Sequence, residues 1–215
     1  HPTRGMVSPA AFLPLAEETG LIEPLGWQLL RMACHEAASW DSDYAPAVSV
    51  NIAARQLLSG ALLREVARAL QESGLPPQRL KLEITESSLI DNEEYSITIF
   101  SALRSMGVEV HLDDFGTGYS SLAYLERFPL NGLKIDRAFV REVIHSPRRQ
   151  AILKLIVELG RVLDMTVIAE GVENEAELAC IASMRCDLVQ GYHFSRPMPA
   201  ADVLTWLSNR VRASA

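Results

Sequence analysis

Six short β-rich runs recur along this chain, and each closes on a polar or charged residue where a buried strand should stay apolar. The runs are 47–52 (AVSVNI), 80–85 (LKLEIT), 108–114 (VEVHLDD), 132–137 (GLKIDR), 166–171 (TVIAEG) and 187–192 (DLVQGY). Between them lie stretches rich in Ala, Leu, Glu and Arg with apolar residues at helical spacing, over about 25–40, 55–73, 93–106, 119–127, 148–163, 174–184 and 200–212. Leu63, Val66, Ala67 and Leu70 form one expected apolar stripe, and Gly74 and Gly107 stand where helices should stop. Strand–helix alternation of this kind reads as α/β structure with a parallel sheet. No linker, charge block or low-complexity segment divides the 215 residues, so one domain over 1–215 is expected.

The polar residues at the strand ends are Asn51, Glu83, Asp113 with Asp114, Lys134, Glu170 and Gln190. A buried parallel strand is normally a near-continuous apolar run. Any one of these residues alone is equally a solvated strand end or half of a local ion pair. Six strands in succession carrying such a group are harder to explain that way, because the C-terminal ends of barrel strands converge on the face where active sites form. Asn51, Glu83, Asp113, Asp114 and Glu170 offer only oxygen ligands, a set that suits Mg2+ or Mn2+ rather than zinc. Asp113 and Asp114 would point to opposite faces of a regular strand, so both reach one metal only if the chain turns there. Two ions roughly 3.5–4 Å apart would suit phosphodiester hydrolysis. Lys134 adds a cation able to orient water or neutralise developing phosphate charge. The following loop, Asp114 to Ser121, has two glycines and small hydroxyls. Its Asp-Phe-Gly triplet is not a kinase signature, since no glycine-rich nucleotide loop or His-Arg-Asp loop accompanies it.

The net charge of −7 and pI near 5.3 argue against a duplex nucleic-acid partner, which calls for a basic stripe. Cys34, Cys180 and Cys186 are unpatterned and odd in number, which suits small buried residues in a reducing, cytoplasmic setting. That setting includes the cytoplasmic part of a membrane-anchored protein. His111 is expected on the barrel exterior or in its core, and Arg148 and Arg149 are expected to be solvated at a helix start. Tyr192 and Phe194 read as alternating residues of the last strand.

Taken in order, Pro9 to Phe12 with Ala16-Glu17, Val50-Asn51, Glu83-Ile84-Thr85-Glu86, Asp113 to Gly118, Lys134-Ile135-Asp136, Ala169 to Glu173 and Gln190-Gly191-Tyr192 resemble the motifs of the EAL phosphodiesterases. The resemblance covers nearly the whole chain. It implies a modified TIM-like (β/α)8 barrel that hydrolyses cyclic di-GMP to linear pGpG with two Mg2+ or Mn2+ ions. It further implies metal ligation by Asn51, Glu83, Asp113 and Asp114, a catalytic water positioned by Lys134, and Glu170 in the metal–water network. Glu86 would anchor the loop from Phe115 to Ser121, and Glu173 and Gln190 would line the substrate site. A homodimer and an upstream sensor or diguanylate cyclase domain are also implied.

The family pattern starts with a helix and two strands, the second bearing Glu-Ala-Leu, and these are not in the sequence. On that expectation the chain is N-terminally incomplete and, by itself, a poor phosphodiesterase. A second reading is a catalytically impaired domain that senses cyclic di-GMP; a third is a protein-interaction domain. The retained Glu83, Asp113, Asp114, Lys134 and Glu170 favour the enzyme.

Overall fold

The computed structural model describes residues 2–40, 45–89, 92–116 and 122–214. Six strands are described: β1 Val48–Asn51, β2 Leu80–Thr85, β3 Glu109–Phe115, β4 Gly132–Ile135, β5 Thr166–Glu170 and β6 Leu188–Gln190. All pair in parallel in the order in which they occur along the chain. The helices are α1 Leu13–Thr19, α2 Ile22–Ser39, α3 Ala54–Leu58, α4 Leu62–Ser73, α5 Glu93–Ser105, α6 Leu122–Arg127, α7 Arg137–Val140, α8 Pro147–Val162, α9 Glu175–Ser183 and α10 Ala200–Ser214. The strands and helices make the α/β, TIM-like barrel-type architecture expected from the alternation.

Strand alternation divides the side chains. Leu80, Leu82 and Ile84 of β2, Val110 and Leu112 of β3, Leu133 and Ile135 of β4, and Val167 of β5 are buried in one apolar layer, and Ala169 of β5 packs in a smaller one with Val140, Val172 and Ile181. Leu112 and Leu133 are in register, and truncating either to Ala should cost about 2–5 kcal/mol. The opposite face is polar: Glu83, His111, Asp113 and Lys134 are buried there. His111 is fully buried, Nε2 lying 2.9 Å from Glu109. Gly132, in register with His111, leaves the space its ring fills, because a Cβ there would meet His111 Nδ1 at 2.7 Å.

Several expected details differ. The single helix over 55–73 is two, separated by Gly60 at φ 71°, where the chain turns between α3 and α4. The buried stripe of α4 is Leu62, Val66, Ala69 and Leu70, and Ala67 faces out. The last strand ends at Gln190. Gly191 explains the stop, since a Cβ there would sit 2.0 Å from Val172 O, and Tyr192 and Phe194 lie on the turn that follows. Arg149 is not simply solvated: its guanidinium donates to Ala138 O and Arg141 O. Cys34 is buried, while Cys180 and Cys186 are half-buried. Among the described residues, no helix is long and apolar enough to cross a membrane.

Candidate active site

The register of the sheet staggers the strand-end residues. Asn51 pairs with Glu83 across β1 and β2, Thr85 with Asp113 across β2 and β3, Lys134 with Ile168 across β4 and β5, and Glu170 with Gln190 across β5 and β6. Lys134 is the hub. Its Nζ lies 2.7 Å from Glu83 Oε2, 3.1 Å from Asp113 Oδ1 and 2.5 Å from Glu170 Oε1. An ammonium has three protons, and three strands supply three acceptors.

Asp114 joins this group through a backbone irregularity. Leu112 pairs with Leu133 and Phe115 with Ile135, so three steps on β3 match two on β4. The extra residue is a bulge. Asp114 sits at φ 54°, a left-handed conformation that Asp tolerates better than most residues. The turn cancels the alternation that would separate neighbouring aspartates, and ligand oxygens of Asp113, Asp114 and Glu170 lie within 4.8 Å of one another. The Asp114 N–H donates to Asp113 Oδ1 at 3.0 Å, which holds the pair in this form.

The electrostatics are one-sided. Four carboxylates, Glu83, Asp113, Asp114 and Glu170, face one ammonium and leave three formal negative charges in a largely buried site. Burial pulls the Lys134 ammonium down, but its bonds to Glu170 and Glu83 outweigh this and hold it above the ordinary lysine range. Burial pushes the Glu170 carboxyl up, aided by Asp113 and Glu83, and Lys134 only partly offsets the rise. Asp114 is raised by burial, then by Asp113 and Asp136, against the weaker pull of Lys134 and Arg137. An all-oxygen donor set with excess buried negative charge fits a hard divalent cation.

The other expected residues are placed less centrally. Asn51 and Gln190 are exposed on the edge strands. Glu86 is buried, and its Oε2 accepts from Gly116 N at 3.4 Å, next to the bulge. The rest of the loop it would anchor, 117–121, lies outside the described residues. Glu173 is exposed and lies in a cleft of about 740 Å3 beside the cluster, shared with Asp136, Arg137, Arg141 and Arg149; none of the five clustered residues lines it. One contributor has no local signal in the sequence: Glu177 is buried and accepts from Glu173 N at 2.8 Å, shaping the loop after Glu170. Asp136, which the sequence offers as a local cap, caps α7 by accepting from Ala138 N at 2.8 Å.

A family model described as EAL domain matches residues 1–197. The chain is 43% identical over 206 residues to the bifunctional diguanylate cyclase/cyclic di-GMP phosphodiesterase MucR of Pseudomonas aeruginosa, covering 95% of this chain and 30% of that protein. It is 43% identical over 203 residues to the cyclic di-GMP phosphodiesterase NbdA of the same organism, covering 94% of this chain and 26% of that one. Among solved structures, a MucR phosphodiesterase in complex with c-di-GMP superposes with a TM-score of 0.90 at 42% identity, over 94% of this chain and 83% of that chain. The EAL enzyme Bd1971, bound to cAMP and cyclic di-GMP, gives a TM-score of 0.90 at 30% identity, over 95% of this chain and 57% of that chain. This chain thus spans about a quarter to a third of the curated relatives it matches.

Proposed function

This chain belongs to the EAL domain family, and on that premise we propose that it hydrolyses cyclic di-GMP to linear pGpG, with Mg2+ or Mn2+ as cofactor. The observation that carries the reading is the convergence of Glu83, Asp113 and Glu170 on Lys134, with Asp114 beside Asp113 and Glu170. A sensor that binds without cutting has no need of this much buried charge. Residues 1–215 are read as belonging to one catalytic domain, working as a homodimer within a longer cytoplasmic signalling protein that carries further domains.

Asp113, Asp114 and Glu170 would hold one ion, and Glu83 with Asn51 a second. Bound divalent ions supply Lewis acidity toward the phosphate and lower the pKa of water. The chain's own residues do the rest. Glu170, with its raised pKa, is suited to accept the proton of the attacking water. Water oxygen bonds to phosphorus, the bond to the 3′ oxygen breaks, that oxygen takes up a proton from solvent as Glu170 returns its own to solvent, and a ring diester becomes a linear 5′-phosphate. Lys134 holds three carboxylates in place and offsets the charge that grows on the phosphate. Glu86 steadies the bulge through Gly116, and Gln190 and Glu173 present polar edges toward the nucleotide.

The test is conversion of cyclic di-GMP by the longer protein that carries this chain, followed by chromatography, with Mg2+, with Mn2+ and with chelator. Metal-dependent appearance of pGpG supports the reading. Nucleotide binding without product, at saturating metal, would overturn it in favour of a sensor.

A further inference from the structure

The sixteen-residue α8 begins at the cleft that Gly171 also lines, and one of its first side chains, Arg149, reaches back to α7. Between Lys134 and α8 lies α7, a single turn of four residues. One turn is too short to be stable alone, and its terminal carbonyls need partners. Arg149 supplies them. Its Nη1 donates to Arg141 O at 2.8 Å and to Ala138 O, while α8 is itself anchored by buried Leu153, Ile156 and Val157.

The position of α7 matters because both metal-facing loops close onto it. Gly116 lies two residues after Asp114, and a Cβ there would come 2.6 Å from the Phe139 ring. Gly171 follows Glu170, and a Cβ there would come 2.4 Å from Arg137 Cβ. Both glycines have positive φ, 93° and 75°, so the backbone turns directly against α7 in each case. α7 is therefore a wedge: Phe139 bears on the Asp114 side and Arg137 on the Glu170 side.

We propose that Arg149 is a positioning residue for the carboxylate cluster. By capping α7 it holds the wedge, and the wedge sets the separation of Asp114 from Glu170 and so the affinity of the site for a divalent ion. The inference rests on the metal-dependent reading above. Arg suits the task because both carbonyls are served by one nitrogen, Nη1, of a rigid planar guanidinium, whereas a lysine ammonium is a point donor on a flexible stem.

The experiment is Mn2+ titration of the unsubstituted chain, Arg149→Ala and Arg149→Lys, by isothermal calorimetry, with thermal unfolding of each without metal. Residues that orient metal ligands typically alter affinity by about 10- to 100-fold. The expected result is a loss of Mn2+ affinity of about tenfold in Arg149→Ala, a smaller loss in Arg149→Lys, and recovery in Arg149→Ala on adding guanidinium ion at a non-denaturing concentration. The cleft beside Arg149 is open enough to admit that ion. Equal Mn2+ affinity in all three proteins would overturn the proposal. So would parallel loss of affinity and unfolding midpoint without recovery by guanidinium, since that describes general destabilisation. An unsubstituted chain that binds no Mn2+ would overturn the metal reading, and this proposal with it; metal binding indifferent to Arg149 overturns this proposal alone.

Discussion

The middle of the sheet and its two edges both carry polar residues at their strand ends, yet only the middle buries them. Glu83, Asp113 and Lys134 are each less than a tenth exposed. Asn51 is in register with Glu83 and Gln190 with Glu170, but both are exposed, on strands of four and three residues. The central group is bound by mutual compensation: each carboxylate on Lys134 would be untenable there without it. The edge residues have solvent as an alternative partner. Polar strand-end residues are thus buried and mutually paired in the centre, and solvated at the rim.

Lys134→Met tests this contrast most severely. It removes the ammonium from three carboxylates, and breaking a buried ion pair from one side costs about 3–5 kcal/mol. A large drop in unfolding midpoint with loss of turnover is expected, partly reversed by Mn2+. Unchanged stability would mean that charge compensation does not hold the centre together. Glu170→Gln separates chemistry from folding. Turnover of cyclic di-GMP should fall about 10²–10⁴-fold for loss of a proton acceptor. Urea unfolding should show equal or greater stability, because the raised pKa of Glu170 marks a charge that burial disfavours. A destabilised Gln variant would place Glu170 with the purely structural ion pairs.

At the edges, Asn51→Ala and Gln190→Ala should each stay within about 0.5 kcal/mol of the parent in urea unfolding, as for surface substitutions generally. Asn51→Ala should still weaken Mn2+ binding. A large stability loss in either would erase the distinction between centre and rim.

The smallest effect concerns the pair below the cluster. Burial works to raise the Glu109 carboxyl, but bonds from Lys81 and His111 win, so it titrates below its ordinary value of 4.5. As pH falls the unfolded chain takes up the proton first. The stability contribution is therefore full above about 4.5 and is lost as pH drops through the lower folded value. Solvent screening at this partly exposed pair limits it to roughly 0.2–1 kcal/mol. Lys81→Met should flatten the acid limb of the stability–pH curve by that amount; an unchanged curve would assign the pair no role.

Much of the fold was legible from the order of residues. Five of the six strands fall inside the runs read from the sequence, and β3 continues one residue beyond its run to Phe115, because β-branched apolar runs bounded by glycine and polar residues have few alternative conformations. The site was legible as a set of positions, since Glu83, Asp113, Lys134 and Glu170 break apolar runs that burial should keep intact. The tail of the last strand was not: Tyr192 and Phe194 alternate correctly, but Gly191 is pressed against Val172, and that contact ends the strand. Arg149 was read as solvated because an arginine at a helix start has no local signal for a carbonyl eight residues upstream.

By itself, then, the sequence determined the parallel α/β architecture, the number and position of these strands and the identity of the charged residues at their ends, because these follow from local propensity and periodicity. Only the tertiary structure decided which charges meet. The bulge that turns Asp114 toward Asp113 and Glu170, the three acceptors shared by Lys134, and the wedge that Arg149 clamps all depend on register between distant strands and on close backbone contacts. Coulomb forces and hydrogen bonds act through space over a few ångströms, and separation along the chain does not encode that distance.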